Sequence, residues 1–304
     1  MLTDLTDTTC ADIRAALARA QGQLGGPATG VVLNLIIVTD ESGQHDAVRA
    51  ASQASREHPC RVLGVIGRES RTTSRLDAEI RSGEGTPGHT VLLRLYGPMS
   101  EHADSVITPL LVPDTPVVTW WHGMIPAVPS AQPLGVLAQR RVTDAARAKA
   151  PDAALAALSA GYEPGDTDFS WTRATPWRSL LAATVDQEPY AIRGGQVVAE
   201  EHNPTADLLT AWLGSRLDAP FSRENSAGPG ITEVSLRTDE GEVVISRPDG
   251  RVATLSLPGQ PDRRVALHRR DTADLLAEEL RRLDPDEVYA EALALVAGIP
   301  AATG

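Results

Sequence analysis

Residues 31–38 read VVLNLIIV, and this stretch decides the architecture of the first half of the chain. It is apolar at odd and even positions alike, so an extended segment here presents hydrophobic side chains on both faces. A strand of that composition is covered on two sides, as in a parallel sheet flanked by helices. Upstream, Thr9 is placed to cap a helix over Ala11–Leu24, with Ile13, Leu17 and Ala20 on one stripe and Gly25-Gly26-Pro27 to stop it. Downstream, a helix is predicted over His45–Glu57, then strands at Arg61–Ile66, Thr90–Tyr96 and Val117–Trp121, with Glu101–Leu111 helical between the last two. Thr72–Arg81 is ambiguous and also reads as an extra antiparallel strand. This alternation predicts an N-terminal α/β domain over residues 1–165, with a mostly parallel or mixed sheet and helices on both sides.

Pro116, Pro126, Pro129 and Pro133 punctuate an ordered loop, a helix is expected over Leu134–Lys149, and Gly161–Asp166 is the expected domain boundary. Residues 166–304 change character. Thr175-Pro176 and Asn203-Pro204 each have the form of an N-cap followed by proline at the first helical position. A hairpin is expected at Gly194-Gly195 between them. From 231 to 270 four strands alternate through turns at Asp239-Glu240-Gly241, Pro248-Asp249-Gly250 and Pro258-Gly259-Gln260, an antiparallel meander. Two helices, one from Asp271 and one from Asp284-Pro285 ending near Gly298-Ile299-Pro300, carry Leu276/Leu280/Leu283 and Val288/Ala292/Leu295 stripes expected to pack on that sheet. The second domain is therefore read as α+β with an antiparallel sheet.

Composition narrows the function. A formal charge of −12 puts sequence-independent nucleic-acid binding, which needs a cationic face, at a disadvantage and disfavours an anionic membrane surface. No apolar run is long enough to span a bilayer and no signal peptide is visible, so the chain reads as cytoplasmic. Cys10 and Cys60, far apart and outside any CxxC, read as free thiols. The first strand is followed by Thr39-Asp40-Glu41-Ser42-Gly43, with no GxGxxG and with carboxylates where a phosphate would sit, which argues against a dinucleotide site there. No P-loop and no GxSxG elbow occur, and the seven histidines lack metal-ligand spacing. Glu200-Glu201-His202 is the best local metal candidate and reads more simply as a solvated strand end, while His122 reads as a loop residue bonded to backbone. No catalytic, metal or cofactor residue is assigned.

What stands out is tryptophan. Four of the five fall in two runs, VVTWWHGMIPAVPSAQPLGVLAQRRVTDA over 117–145 and DFSWTRATPWRSLL over 168–181. Trp and Arg are the residue types most enriched at interface anchors. Trp120, Trp121, Arg140, Arg141, Asp144, Trp171, Arg173, Trp177 and Arg178 are thus candidates for a partner surface, with packing between the two domains as the equal alternative. Trp120 and Trp121 end a strand and face opposite ways, so one of them belongs to the core. Arg140 and Asp144, on the expected helix, form an i, i+4 pair.

These runs, with HNPTADLLTAWLGSRL over 202–217 and LHRRDTADLLAEELRRLDPDEVYAEAL over 267–293, resemble the glucose-6-phosphate dehydrogenase assembly protein family, OpcA. One lysine among 28 basic residues resembles an actinobacterial member, and His122 departs from the proline expected after the Trp pair. The resemblance implies a non-catalytic protein, without cofactor, that binds glucose-6-phosphate dehydrogenase and promotes its active oligomer or conformation, supporting NADPH production in the pentose phosphate pathway. The competing class is a phosphosugar- or nucleotide-binding α/β protein with weak enzymatic activity.

Overall fold

The computed structural model describes residues 2–23, 30–68, 73–81, 89–187 and 190–299. The chain divides into two compact units, one of Met1–Asp144 with Thr272–Pro285 and the other of Ala145–Asp271 with Asp286–Gly304. The division falls after Asp144, earlier than the boundary expected at Gly161–Asp166, and the chain returns to the first unit near its end.

In the first unit the elements in chain order are β1 (Leu2–Leu5), α1 (Cys10–Gln23), β2 (Leu33–Thr39), α2 (Gln44–Ala54), β3 (Cys60–Arg68), β4 (Arg75–Arg81), β5 (Thr90–Tyr96), α3 (Ala103–Ile107), β6 (Val117–Trp121), α4 (Pro133–Val136) and β7 (Arg140–Thr143). Their strands lie in the order β1-β4-β5-β3-β2-β6-β7, parallel from β5 to β7, with β4 and β1 antiparallel at one edge. The VVLNLIIV stretch supplies β2, at the centre, and its double-sided apolarity is used from Leu33 onward, while Val32, ahead of the strand, is 52% exposed. Ile36 joins Ile13 and Leu17 of α1 in one core, while the alternate residues Leu35 and Ile37 are equally buried. Thr9 and Asp12 cap α1 reciprocally, the Thr9 N–H donating to Asp12 and the Asp12 N–H to the Thr9 hydroxyl. The expected stop at Gly25-Gly26-Pro27 lies outside the described residues.

The helix expected over Leu134–Lys149 is a correction. Helix formation stops at Val136, and Arg140–Thr143 instead pairs in parallel with β6. The segment is rich in helix-favouring Leu, Ala, Gln and Arg, but a free edge on β6 offers backbone hydrogen bonds and burial that local propensity cannot match.

The second unit contains α5 (Pro151–Ala160), β8 (Asp166–Asp168), α6 (Phe169–Gln187), β9 (Ile192–Glu200), α7 (Pro204–Leu217), β10 (Phe221–Ser226), β11 (Ile231–Thr238), β12 (Glu242–Ser246), β13 (Val252–Ser256) and β14 (Arg263–Ala266). Six of these strands form a sheet in the order β10-β9-β11-β12-β13-β14, antiparallel except for β10 beside β9. The four-strand meander and its three turns stand as read. Trp177 and Leu181 of α6 and Leu209 and Leu213 of α7 share a core with Val197, Val234 and Ile245 of the sheet.

Two local expectations fail here. Gly194-Gly195 is no hairpin but lies inside β9, where a Cβ on Gly195 would sit 2.1 Å from the Ser235 carbonyl oxygen and 2.6 Å from the Phe221 ring. The glycines admit neighbouring strands at close range rather than turn the chain. Thr175-Pro176 does not open a helix, because α6 begins seven residues before Pro176 and runs through it. Asn203-Pro204 behaves as expected, the Asn203 side chain accepting from the Ala206 N–H.

The helix after Asp271, α8 (Thr272–Arg281), belongs to the first unit and packs on α2, so its Leu276 and Leu280 are buried away from the meander. The last helix, α9 (Glu287–Leu295), is capped by Asp286 and packs on α7. The meander's apolar face is already filled by α6 and α7, which leaves no room there for either stripe.

Candidate functional site

The C-terminal end of β2, where the sheet order reverses between β3 and β6, is the position at which open α/β sheets bind ligands. Here it is filled by the protein itself. Asp40 accepts from the Gly43 N–H and the Ser42 hydroxyl, bonds that hold its carboxyl below the usual carboxylate range. Burial opposes ionisation of Glu41, but Arg68 and Arg94 outweigh it and keep the carboxyl low. A Cβ on Gly43 would meet His122 Nδ1 and Thr39 Oγ1, each at 2.8 Å. His122 is buried, edge-on to Trp120 and 3.5 Å from the Thr39 hydroxyl.

The first Trp/Arg run is interior. Trp120 and Trp121 are 1% and 4% exposed, so both, and not one, are core residues. Arg140 donates through Nε to Glu279 at 3.0 Å and through Nη1 to the Asp284 carbonyl at 2.8 Å, tying β7 to α8. The expected Arg140–Asp144 helical pair is therefore replaced, because Arg140 stands in a strand. Arg141 and Asp144 are buried, Arg141 donating to the Ala138 carbonyl.

The second run is also largely interior. Asp168 accepts from the Ser170 N–H at the start of α6 and from the Ala145 N–H. Trp171 is buried and donates through Nε1 to Asp286, the same residue that caps α9. Arg178 stacks on Trp171, its Cζ 3.6 Å from the ring centroid, and donates to the Thr175 hydroxyl. Proline at 176 removes the N–H that would bond the Thr172 carbonyl one turn back. Arg270 reaches that carbonyl through Nη1 at 3.5 Å, so a side chain replaces the missing helix bond. Trp177 is buried, with Arg247 over its ring at 4.8 Å.

Around Trp177 the second unit holds a cavity of about 230 Å³. Five arginines line it, Arg147, Arg173, Arg247, Arg269 and Arg270, against the single carboxylate of Glu200. Arg247 is its floor. It is 5% exposed and donates to the carbonyls of Ile231 and Leu267, while its Nε has no partner. Burial, and then the charge of Arg269, push its pKa down to about 10, so it remains a cation at neutral pH. Among the described residues, neither Arg147, Arg247 nor Arg269 is paired with a carboxylate.

Asn203 and Thr205, at the start of α7, also line the cavity, and Asn203 Nδ2 donates to Glu200 Oε1 at 3.3 Å. His202 stands at the rim in a left-handed conformation (φ 54°), its Nδ1 2.6 Å from Asp152 of α5. That hydrogen bond raises the imidazole pKa. Of the nine residues singled out in the sequence, only Arg173 and Trp177 line this cavity. Arg147, Arg247, Arg269, Arg270 and Glu200 do not stand out as a group in the sequence because they come from separate segments; the Glu200-Glu201-His202 and His268-Arg269-Arg270 runs are the local signals.

Among the described residues no group of three His, Cys, Asp or Glu side chains could hold a metal ion, and no helix is long and apolar enough to cross a membrane. Both thiols are free, and burial pushes that of Cys60 up to about 11.

Two family models match the chain. One, described as the N-terminal domain of a glucose-6-phosphate dehydrogenase subunit, covers residues 51–160, and the other, described as the C-terminal domain of that same protein, covers 164–293. No curated protein matches it significantly. Among solved structures the chain is similar to an oxidoreductase from Sinorhizobium meliloti, at 10% identity over 88% of this chain and 96% of that one, with a TM-score of 0.49. It is similar also to an NAD binding oxidoreductase from Klebsiella pneumoniae, at 10% identity over 88% and 95%, with a TM-score of 0.44. Likeness at that level has no bearing on what the chain does.

Proposed function

Because the chain belongs to the glucose-6-phosphate dehydrogenase assembly (OpcA) family, we propose that it is a non-catalytic cytoplasmic factor that binds that dehydrogenase and favours its active oligomer or conformation. The observation that carries this reading is the pair of consecutive domain matches, which take in most of the chain. An activator of this kind shifts the enzyme by its differential affinity for the active state, and each tenfold preference supplies about 1.4 kcal/mol. The activation supports NADPH production at the entry to the pentose phosphate pathway.

Burial divides the candidate surface residues into two roles. Trp120, Trp121, Arg140, Arg141 and Asp144 in the first unit, and Trp171 and Trp177 in the second, are hidden and are read as supports of the unit to which each belongs. Arg173 and Arg178 are half-buried and are proposed to touch the partner. Arg178 also stacks on Trp171, so its loss would disturb that ring as well as the surface.

The test mixes purified chain and dehydrogenase, reading the complex by light scattering and the turnover by NADPH absorbance. Co-elution with a rise in activity is expected, and Arg173→Glu is expected to reduce that rise without altering the melting temperature. Separate elution with unchanged turnover would remove the function. Full activation by a folded Arg173→Glu variant would remove only the site assignment.

A further inference from the structure

The cavity of the second unit concentrates positive charge in a chain whose formal charge is −12. Local accumulation against the net charge needs a reason, because converging guanidinium groups repel one another and their burial is costly. Three observations supply one.

Arg247 is a buried cation whose hydrogen-bonding partners are two neutral carbonyls, and its Nε is buried without any partner. Buried charges in folded proteins are normally paired. Arg147 and Arg269 stand exposed at the same cavity, and neither is engaged by a carboxylate although the chain carries 40 of them. Lastly, Gly230 (φ 64°) faces the space between two of the guanidinium groups, where an added Cβ would lie 3.9 Å from Nη2 of Arg247 and 3.9 Å from Cζ and Nε of Arg269. The left-handed φ is what favours glycine there, and the contacts show that the Arg247 and Arg269 guanidinium groups approach one point of the backbone.

We propose that this cavity binds the phosphoryl group of a small phosphate ester, held between Arg247 on the floor and Arg147 and Arg269 at the rim. Guanidinium is suited to the role, since its planar fork matches the spacing of phosphate oxygens. The polar lining at the start of α7 is assigned to the rest of the ligand. Glu200 repels a second anionic group but accepts hydrogen bonds from hydroxyls, and Asn203 and Thr205 offer further polar contacts. The ligand is thus an anion at one end and a neutral, hydroxyl-bearing group at the other. At about 230 Å³ the space is below the ~300–1,000 Å³ of drug-sized pockets. It suits a phosphorylated monosaccharide or polyol and is too small for a dinucleotide.

Binding by the chain alone requires no dehydrogenase, so failure here and failure of the assembly-factor reading are separate results. The test is calorimetric titration of the full chain, at physiological salt, with glucose 6-phosphate, inorganic phosphate, glucose and a short polyglutamate peptide. The expected order is glucose 6-phosphate tightest, phosphate weaker, and neither glucose nor the peptide binding. Arg147→Gln with Arg269→Gln is expected to weaken the ester by about tenfold or more while leaving circular dichroism and melting temperature unchanged. Arg269→Lys keeps the charge, loses the fork and is expected to weaken it by a smaller factor. Absence of heat with both phosphate compounds at millimolar concentration would overturn the proposal. So would unchanged affinity in both variants, or glucose binding as tightly as its ester. Binding of the peptide in preference to the ester would also overturn it and give the cavity to an acidic protein segment.

Discussion

Arg140 in the first unit and Arg247 in the second are hidden to nearly the same degree, 4% and 5% exposed, yet they are neutralised in opposite ways. Arg140 meets the carboxylate of Glu279, itself buried, and the Asp284 carbonyl. Its charge is cancelled within the fold, and the pair acts as a clamp between a strand and a helix. Arg247 meets two carbonyls and an indole face, with another arginine close enough to depress its ionisation. Desolvation is suffered in both places, but only in the first does a carboxylate bond the guanidinium directly; at Arg247 the charge of Asp249 acts without a bond and is outweighed by burial and Arg269. A buried cation with a carboxylate is a structural device; one without is free to hold something from outside.

Breaking the clamp gives the largest effect. Arg140→Ala breaks a buried ion pair by removing one member and is expected to cost about 3–5 kcal/mol in urea unfolding. Arg140→Met with Glu279→Leu removes both charges and should recover most of that loss. If the double variant is as unstable as the single one, packing rather than charge holds α8 in place. Arg247→Met is expected to cost less, about 1–3 kcal/mol, because it orphans two carbonyls but no carboxylate and relieves repulsion from Arg269. A cost equal to that of Arg140→Ala would erase the distinction between the two arginines.

The smallest effect is at the cavity rim. Bonding to Asp152 raises the His202 pKa, so the folded chain holds that proton more tightly than the unfolded chain. The resulting stabilisation is complete below the ordinary histidine value, about 6.5, and is lost as pH rises through the higher folded value. His202→Gln should therefore melt slightly below the parent in mildly acidic buffer and together with it in alkaline buffer. A difference that persists at alkaline pH would assign His202 an uncharged role.

The features legible in the sequence are those fixed by neighbours close in the chain. Residues 31–38 announce a doubly covered strand because apolar side chains fall on both faces, and Asn203-Pro204 announces a cap because cap chemistry is local. The features that are not legible depend on distant partners. Arg140–Thr143 becomes a strand through the open edge of β6, which no window around residue 140 contains. Pro176 imitates a helix start, while Arg270, almost a hundred residues away, reaches the carbonyl that the proline leaves without its helix bond. The arginine cavity is hidden for the same reason. Its members are spread from Arg147 to Arg270, and Arg247 sits beside a turn that reads as nothing more than a turn.

The path of the chain has a practical consequence. Residues 272–285 complete the first unit, although more than a hundred residues of the second precede them. A fragment cut after Asp144 lacks α8 and leaves the apolar side of α2 bare, so no single truncation point yields both units whole. Residues from Asp286 onward then return to the second unit, so both units are discontinuous in the chain. Anyone dissecting this protein must therefore graft α8 back onto the first unit, with a linker in place of residues 145–271.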